Sequence, residues 1–197
     1  MKRRTALFGI AALLLANTVA AGVPATPASA PLPRDSVYQL PLSLADQSGH
    51  HADWRARRGK PQLVTMFYAS CPYMCPMIID SAKTIDKNLT PVQRQRLDVL
   101  LISIDPEHDT PATLQALAAK RSLDTTRWTL AAPAPGNVRA VAGVLGVRYR
   151  QLADGSFNHT SALLLLDADG RIVARTERIG GPPDPQFLDA VRKAATP

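Results

Sequence analysis

Cysteine is nearly missing from this chain: among 197 residues there are two, Cys71 and Cys75, and no third thiol to pair with either. Disulfide or thiolate chemistry within one molecule is therefore confined to Cys71-Pro72-Tyr73-Met74-Cys75-Pro76. Aromatic residues are also few, 5% of the chain, and are not interleaved with a stripe of lysine and arginine, which excludes the surface that nucleic-acid binding needs. A Gly-x-Ser-x-Gly turn is missing, and with it the nucleophile elbow of a serine hydrolase. There is no internal repeat.

Acidic residues are absent before Asp35, whereas Lys2-Arg3-Arg4 opens the chain and a stretch from Ala6 to Ala21 is apolar apart from Asn17 and Thr18. A positive start, an apolar run and small residues ending in Ala28-Ser29-Ala30 describe an export signal. Residues 1–30 are thus expected to be a signal peptide or an N-terminal anchor with linker, placing the rest in the periplasm or on the outer face of the inner membrane. The net charge of +7 falls to +4 for residues 31–197, because the first thirty hold three basic and no acidic residues. The one basic run, Arg55, Arg57, Arg58 and Lys60, reads as a solvated loop. Residues 31–197 are enough for one domain with a proper core.

Strands and helices alternate along that domain. Val37 to Leu44 alternates loosely and meets a turn at Asp46-Gln47-Ser48-Gly49, which predicts an N-terminal hairpin. Leu63 to Tyr68 and Leu97 to Asp105 are nearly continuous apolar runs, the pattern of strands buried on both faces. Pro76 predicts a helix to about Asn88. Thr90-Pro91 and Thr110-Pro111 each pair a cap with a first-turn proline. Trp128 to Ala132 predicts a short strand, and Asn137 to Leu145 a helix. Strands at Ser161 to Leu166 and Arg171 to Thr176 flank Asp167-Ala168-Asp169-Gly170, and a last helix follows Pro185. This order implies an α/β sheet with parallel central strands and a C-terminal antiparallel hairpin. A dithiol at the first strand-to-helix turn of a βαβ unit points to a thioredoxin-like fold.

The prolines shape the dithiol. A residue before proline is pushed out of the helical region, so both cysteines are expected on a loop, with Cys75 as the N-cap of the helix opened by Pro76. There the helix dipole would lower its pKa and favour the thiolate. A bridge across three residues closes so small a loop that it stabilises little. The placement suits a reducible dithiol or a soft-metal site better than a structural staple.

Copper(I) selects thiolates, accepts imidazole, and is satisfied by three ligands. Candidates for the third donor are Met74 and Met77, read as core filling, His50 and His51 in a polar turn, His108 in a loop, and His159 just before a strong strand. Spacing alone leaves His159 open. As an enzyme, the alternative is a thiol-disulfide oxidoreductase with Cys71 and Cys75 catalytic. A peroxidase would need a single activated cysteine, which the second thiol and the paired prolines do not suit.

Over about residues 36–192 the sequence resembles the Sco/SenC family of copper-binding, thioredoxin-fold proteins. The resemblance is carried by Gly59-Lys60-Pro61, by the Cys-Pro-x-x-Cys-Pro loop at 71–76, by Asp105-Pro106-Glu107-His108-Asp109-Thr110-Pro111, and by His159-Thr160-Ser161 leading to Leu166-Asp167-Ala168-Asp169-Gly170. It implies that Cys71, Cys75 and His159 bind copper, as Cu(I) and also Cu(II). It further implies a metallochaperone that delivers copper to the CuA site of cytochrome c oxidase, with a CuA-bearing oxidase subunit or another copper protein, and a thiol reductant, as partners. We expect a monomer. Asn158 stands where the family commonly has Asp, predicting a less firmly oriented histidine, and His108 stands where Arg is common.

Overall fold

The computed structural model describes residues 31–196. The expected signal or anchor at 1–30 lies outside the described residues. A seven-stranded sheet is built from β1 (Ser43–Asp46), β2 (His51–Asp53), β3 (Gln62–Phe67), β4 (Asp98–Ser103), β5 (Trp128–Pro133), β8 (Leu163–Leu166) and β9 (Ile172–Thr176), in the order β2-β1-β5-β4-β3-β8-β9. β6 (Tyr149–Gln151) and β7 (Phe157–His159) form a separate two-stranded hairpin. β3, β4 and β5 run parallel, and β8 joins β3 antiparallel.

The central strands are where the apolar runs place them. β3 is buried along its whole length, and Leu100, Leu101, Ile102 and Leu163 to Leu166 are at most 1% exposed. Each such side chain contributes roughly 1.5–3 kcal/mol relative to exposure. Parallel pairing requires a crossover, and α1 (Met74–Lys87) makes it between β3 and β4 while burying Ile78, Ile79, Ala82 and Ile85. α3 (Pro111–Lys120) makes the next, capped by Thr110, whose hydroxyl accepts the Thr113 amide at 3.3 Å. The short α2 (Pro91–Gln95) opens with a capping box between Thr90 and Gln93. α4 (Val138–Val144) follows β5, and α5 (Pro185–Ala194) buries Phe187, Leu188 and Val191.

Both expected hairpins form, β1–β2 and β8–β9. The second turns at Gly170, whose φ of 80° and a neighbouring Tyr38 ring leave no room for a side chain. Three local expectations change. Val37–Gln39 is a 3-10 turn rather than the start of a strand, with the Ser36 hydroxyl accepting the Tyr38 amide. α1 begins at Met74, not Pro76. The β6–β7 hairpin was not expected, although Ala153-Asp154-Gly155-Ser156 between Gln151 and Phe157 is a turn signal.

Candidate metal centre

The dithiol loop leaves the carboxyl end of β3, where functional groups of parallel sheets gather. Asp109, buried beside the end of β4, fixes the start of that loop: its carboxylate accepts the Ala69 amide at 3.1 Å and the Ser103 hydroxyl at 2.6 Å. Burial pushes the Asp109 carboxyl above its ordinary value, and the bonds from Ser103 and Ala69 oppose that rise.

Cys71 lies on the loop, as the prolines predict, but both cysteines are free and buried rather than partly exposed, and Cys75 lies inside α1. Cys75 is the second residue of α1 and its N-cap is Tyr73, which offers no side-chain cap. Pro76 is accommodated because amides in the first helical turn lack an intrahelical partner anyway; the ladder starts with the Met77 amide on the Tyr73 carbonyl. The missing cap is supplied by sulfur: Cys71 Sγ accepts the Cys75 amide at 3.3 Å. Thiolate character therefore moves to Cys71. Burial raises its pKa, but donors from Cys75 and the Tyr73 amide bring it below its usual value. Cys75 goes the other way: burial pushes its thiol far up despite the Tyr68 amide at 3.5 Å, and the Cys71 and Asp109 charges add to the rise.

His159 ends β7 and brings Nε2 to 3.7 Å from Cys75 Sγ. Its Nδ1–H donates to the Thr160 carbonyl at 3.1 Å, which leaves the Nε2 lone pair directed at the sulfur. Burial depresses the imidazole pKa, with the Thr160 bond opposing, so the ring stays neutral. The Thr160 carbonyl thus holds the ring, in place of the carboxylate expected at position 158. Asn158 is exposed.

Sequence reasoning missed Tyr68, taken as the end of an apolar run. Its hydroxyl donates to the Phe157 carbonyl at 3.3 Å, and its ring packs edge-on against Phe157 and His159 with centroids 5.3 and 6.0 Å away. The available signal was an aromatic residue one step beyond a buried strand.

A cleft of about 400 Å³ opens over Cys71 and His159, with Tyr73 and Met74 on its lip. Met74 and Met77 are 40% and 42% exposed, not core filling. The other histidines lie elsewhere: exposed His108 pairs with Asp105 at 2.8 Å, and exposed His50 stands 3.8 Å from Asp46 near the sheet edge. His51 is exposed at the start of edge strand β2. Among the described residues no three His, Cys, Asp or Glu side chains are gathered as a ready metal cluster. Cys75 and His159 are brought together, while Cys71 Sγ is engaged with the Cys75 amide.

Solved structures share this architecture. Bradyrhizobium japonicum ScoI with copper bound is 24% identical, with a TM-score of 0.67, covering 79% of this chain and 98% of its own. A SCO1/SenC family lipoprotein from Bacillus anthracis has a TM-score of 0.70 at 17% identity, covering 80% of this chain and 94% of its own. BsSco, described as carrying a disulfide switch and as a member of the Sco family of cytochrome c oxidase assembly proteins, has a TM-score of 0.67 at 18% identity, covering 79% and 92%. The SCO1/SenC family model matches residues 32–195, nearly the whole described domain, and the chain belongs to the SCO1/SenC family.

Proposed function

We propose that this protein is an exported copper carrier that holds Cu(I) through Cys71, Cys75 and His159 and passes it to the CuA site of cytochrome c oxidase. The reading rests on the approach of His159 Nε2 to Cys75 Sγ across 84 positions of sequence, at 3.7 Å. Two donors at about 2.0–2.3 Å from one ion at a trigonal angle stand about 3.8 Å apart. Thiolates with an imidazole are a copper donor set, and the lone pair needed for ligation is free because Nδ1 carries the proton. The Cys71 thiol is more acidic than usual and gives up its proton more readily than that of Cys75, which must release it on binding. The exposed lip at Pro72, Tyr73 and Met74 lets an acceptor thiol reach Cys71 for ligand exchange. The copper-bound and oxidase-assembly relatives support this reading. Export to the periplasm or the outer face of the inner membrane is supported by the sequence of residues 1–30 and by the lipoprotein relative.

The test is anaerobic Cu(I) titration against a chelator. The reduced protein should bind one ion, and Cys71→Ser and Cys75→Ser should each abolish tight binding. Wild-type affinity in both variants overturns the proposal.

The inequality of the thiols favours a second reading, dithiol reduction of an acceptor disulfide. The Cys71 thiolate attacks the acceptor disulfide and expels one acceptor thiolate. Cys75 then loses its proton and attacks Cys71 sulfur, which releases the second acceptor thiolate and leaves a Cys71–Cys75 disulfide for an external thiol to reduce. His159→Ala separates the readings: it should impair copper loading and CuA assembly and leave reduction of a model disulfide nearly unchanged.

A further inference from the structure

His159 lines two clefts of different character. The cleft over the dithiol has a lip that is mostly apolar, with Tyr73 77% exposed and Met74 and Leu152 beside it, and one exposed carboxylate, Asp154. A second cleft, of about 550 Å³, that shares Asn158 and His159 with the dithiol cleft is lined also by Arg148, Arg150 and Glu177. Arg148 and Arg150 also line a third cleft, of about 530 Å³, together with Arg139 of α4. All three arginines are exposed, and none forms an ion pair among the described residues. The one acid lining these two arginine clefts, Glu177, is already held by Arg175 at 2.9 Å. A body seated over His159 and the dithiol therefore meets a mostly apolar lip and unneutralised guanidinium groups.

We infer that the arginine face of the β6–β7 hairpin is a docking surface for the copper acceptor, and that the acceptor presents carboxylates beside an apolar patch around its own metal-binding thiols. The inference rests on the copper-carrier reading. Guanidinium pairs with carboxylate in a two-pronged geometry that orients as well as attracts. Charges at the rim of an interface act on the rate of encounter more than on the bound state. The occupant is a protein rather than an anionic membrane because the arginines share His159 with the dithiol cleft. A bilayer lying on them would cover the route by which copper leaves.

The experiment uses the copper-loaded protein and, as probe, the apo soluble CuA domain of an oxidase subunit, with transfer followed by stopped-flow at low and high salt. Wild-type transfer should slow as salt rises, and the double charge reversal R148E/R150E should be about tenfold slower or more at low salt. The two should converge at high salt, with Cu(I) affinity of the variant unchanged in chelator competition. R148K/R150K, which keeps the charge, should restore most of the rate. Salt-independent transfer by wild type, or wild-type transfer by the charge-reversed protein, overturns the docking surface and leaves copper binding standing. Loss of Cu(I) affinity in R148E/R150E overturns it too, since the arginines would then act on the site itself. Loss of binding to phosphatidylglycerol vesicles with unchanged transfer assigns the face to membrane and overturns the acceptor. A wild-type protein that binds no Cu(I) removes the carrier reading and the docking surface together.

Discussion

The turn between β3 and α1 and the β6–β7 hairpin meet at one site but are held by different means. The turn is anchored to the core on both sides: β3 is wholly buried, Ile78 and Ile79 lock the first turns of α1, and Asp109 ties Ala69 to the end of β4. The hairpin belongs to no large sheet. Phe157 and His159 are only half-buried, and the hairpin reaches the dithiol side through Tyr68 and the single approach to Cys75. The sulfur pair sits between a wholly buried strand and a helix, while the imidazole rides on an arm, a half-buried hairpin whose Tyr149 and Phe157 pack against the rim of the core. On the proposed copper-carrier reading, that division would let the arm open and withdraw one ligand without disturbing the other two.

The largest effect expected is from Cys75→Ser, which strikes the anchored half. Cu(I) affinity should fall by more than about a hundredfold, beyond the 10–100-fold typical of outer partners. A buried hydroxyl in an apolar setting should also cost about 1–3 kcal/mol in denaturant unfolding. Cys71→Ser should match the copper loss and cost less stability, because a serine oxygen can take over as acceptor of the Cys75 amide. Equal destabilisation by the two would erase the distinction drawn here between cap and core sulfur.

Phe157→Ala addresses the arm. It removes the ring against Tyr68, so hydrogen exchange of amides in 149–159 should accelerate and copper affinity fall by about 10–100-fold, with the global unfolding midpoint little changed. If the midpoint and the hairpin amides respond together, hairpin and sheet are one cooperative unit.

The pH dependence sharpens the contrast further. His159 has a depressed pKa because of burial, so its contribution to stability is present above the ordinary histidine value and lost as pH falls through the lower folded value. Copper binding should accordingly keep its imidazole contribution at pH 6.5 and lose it only below, read as the ratio of wild-type to His159→Ala affinity, since proton release from Cys75 makes both affinities fall as pH falls. A wild-type to His159→Ala affinity ratio that already declines above pH 7 contradicts a neutral buried ring. The smallest effect is assigned to Asn158→Asp, less than about threefold in affinity, since Nδ1 is already satisfied by the Thr160 carbonyl.

The anchored half was largely legible in sequence. Continuous apolar runs locate β3, β4 and β8 because strands buried on both faces have no alternation to lose, and Thr-Pro pairs locate two helix starts. Cys71 and Cys75 were found as the only thiols. Their relative reactivity was inverted, because the reading treated Pro76 as the helix start when a proline in the first turn removes no helical bond. The arm was less legible. Its strands are three residues each, too short for a period to show, and only Asp154-Gly155 marked the turn. His159 was recognisable by resemblance, whereas Tyr68, Thr160 and Asp109 act through contacts between distant segments that no local pattern reports.

The separation of donors along the chain also orders the events of folding. Cys71 and Cys75 are four residues apart and should meet once α1 forms, whereas His159 should arrive only with the antiparallel docking of β8 on β3, which closes a loop of nearly a hundred residues. Closing such loops is slow relative to local helix formation. During refolding the thiol pair should form as a bidentate site well before the third donor joins it. On the proposed ligand set, a chain ending before β7 would offer copper sulfur alone, so the complete set would mark the finished fold.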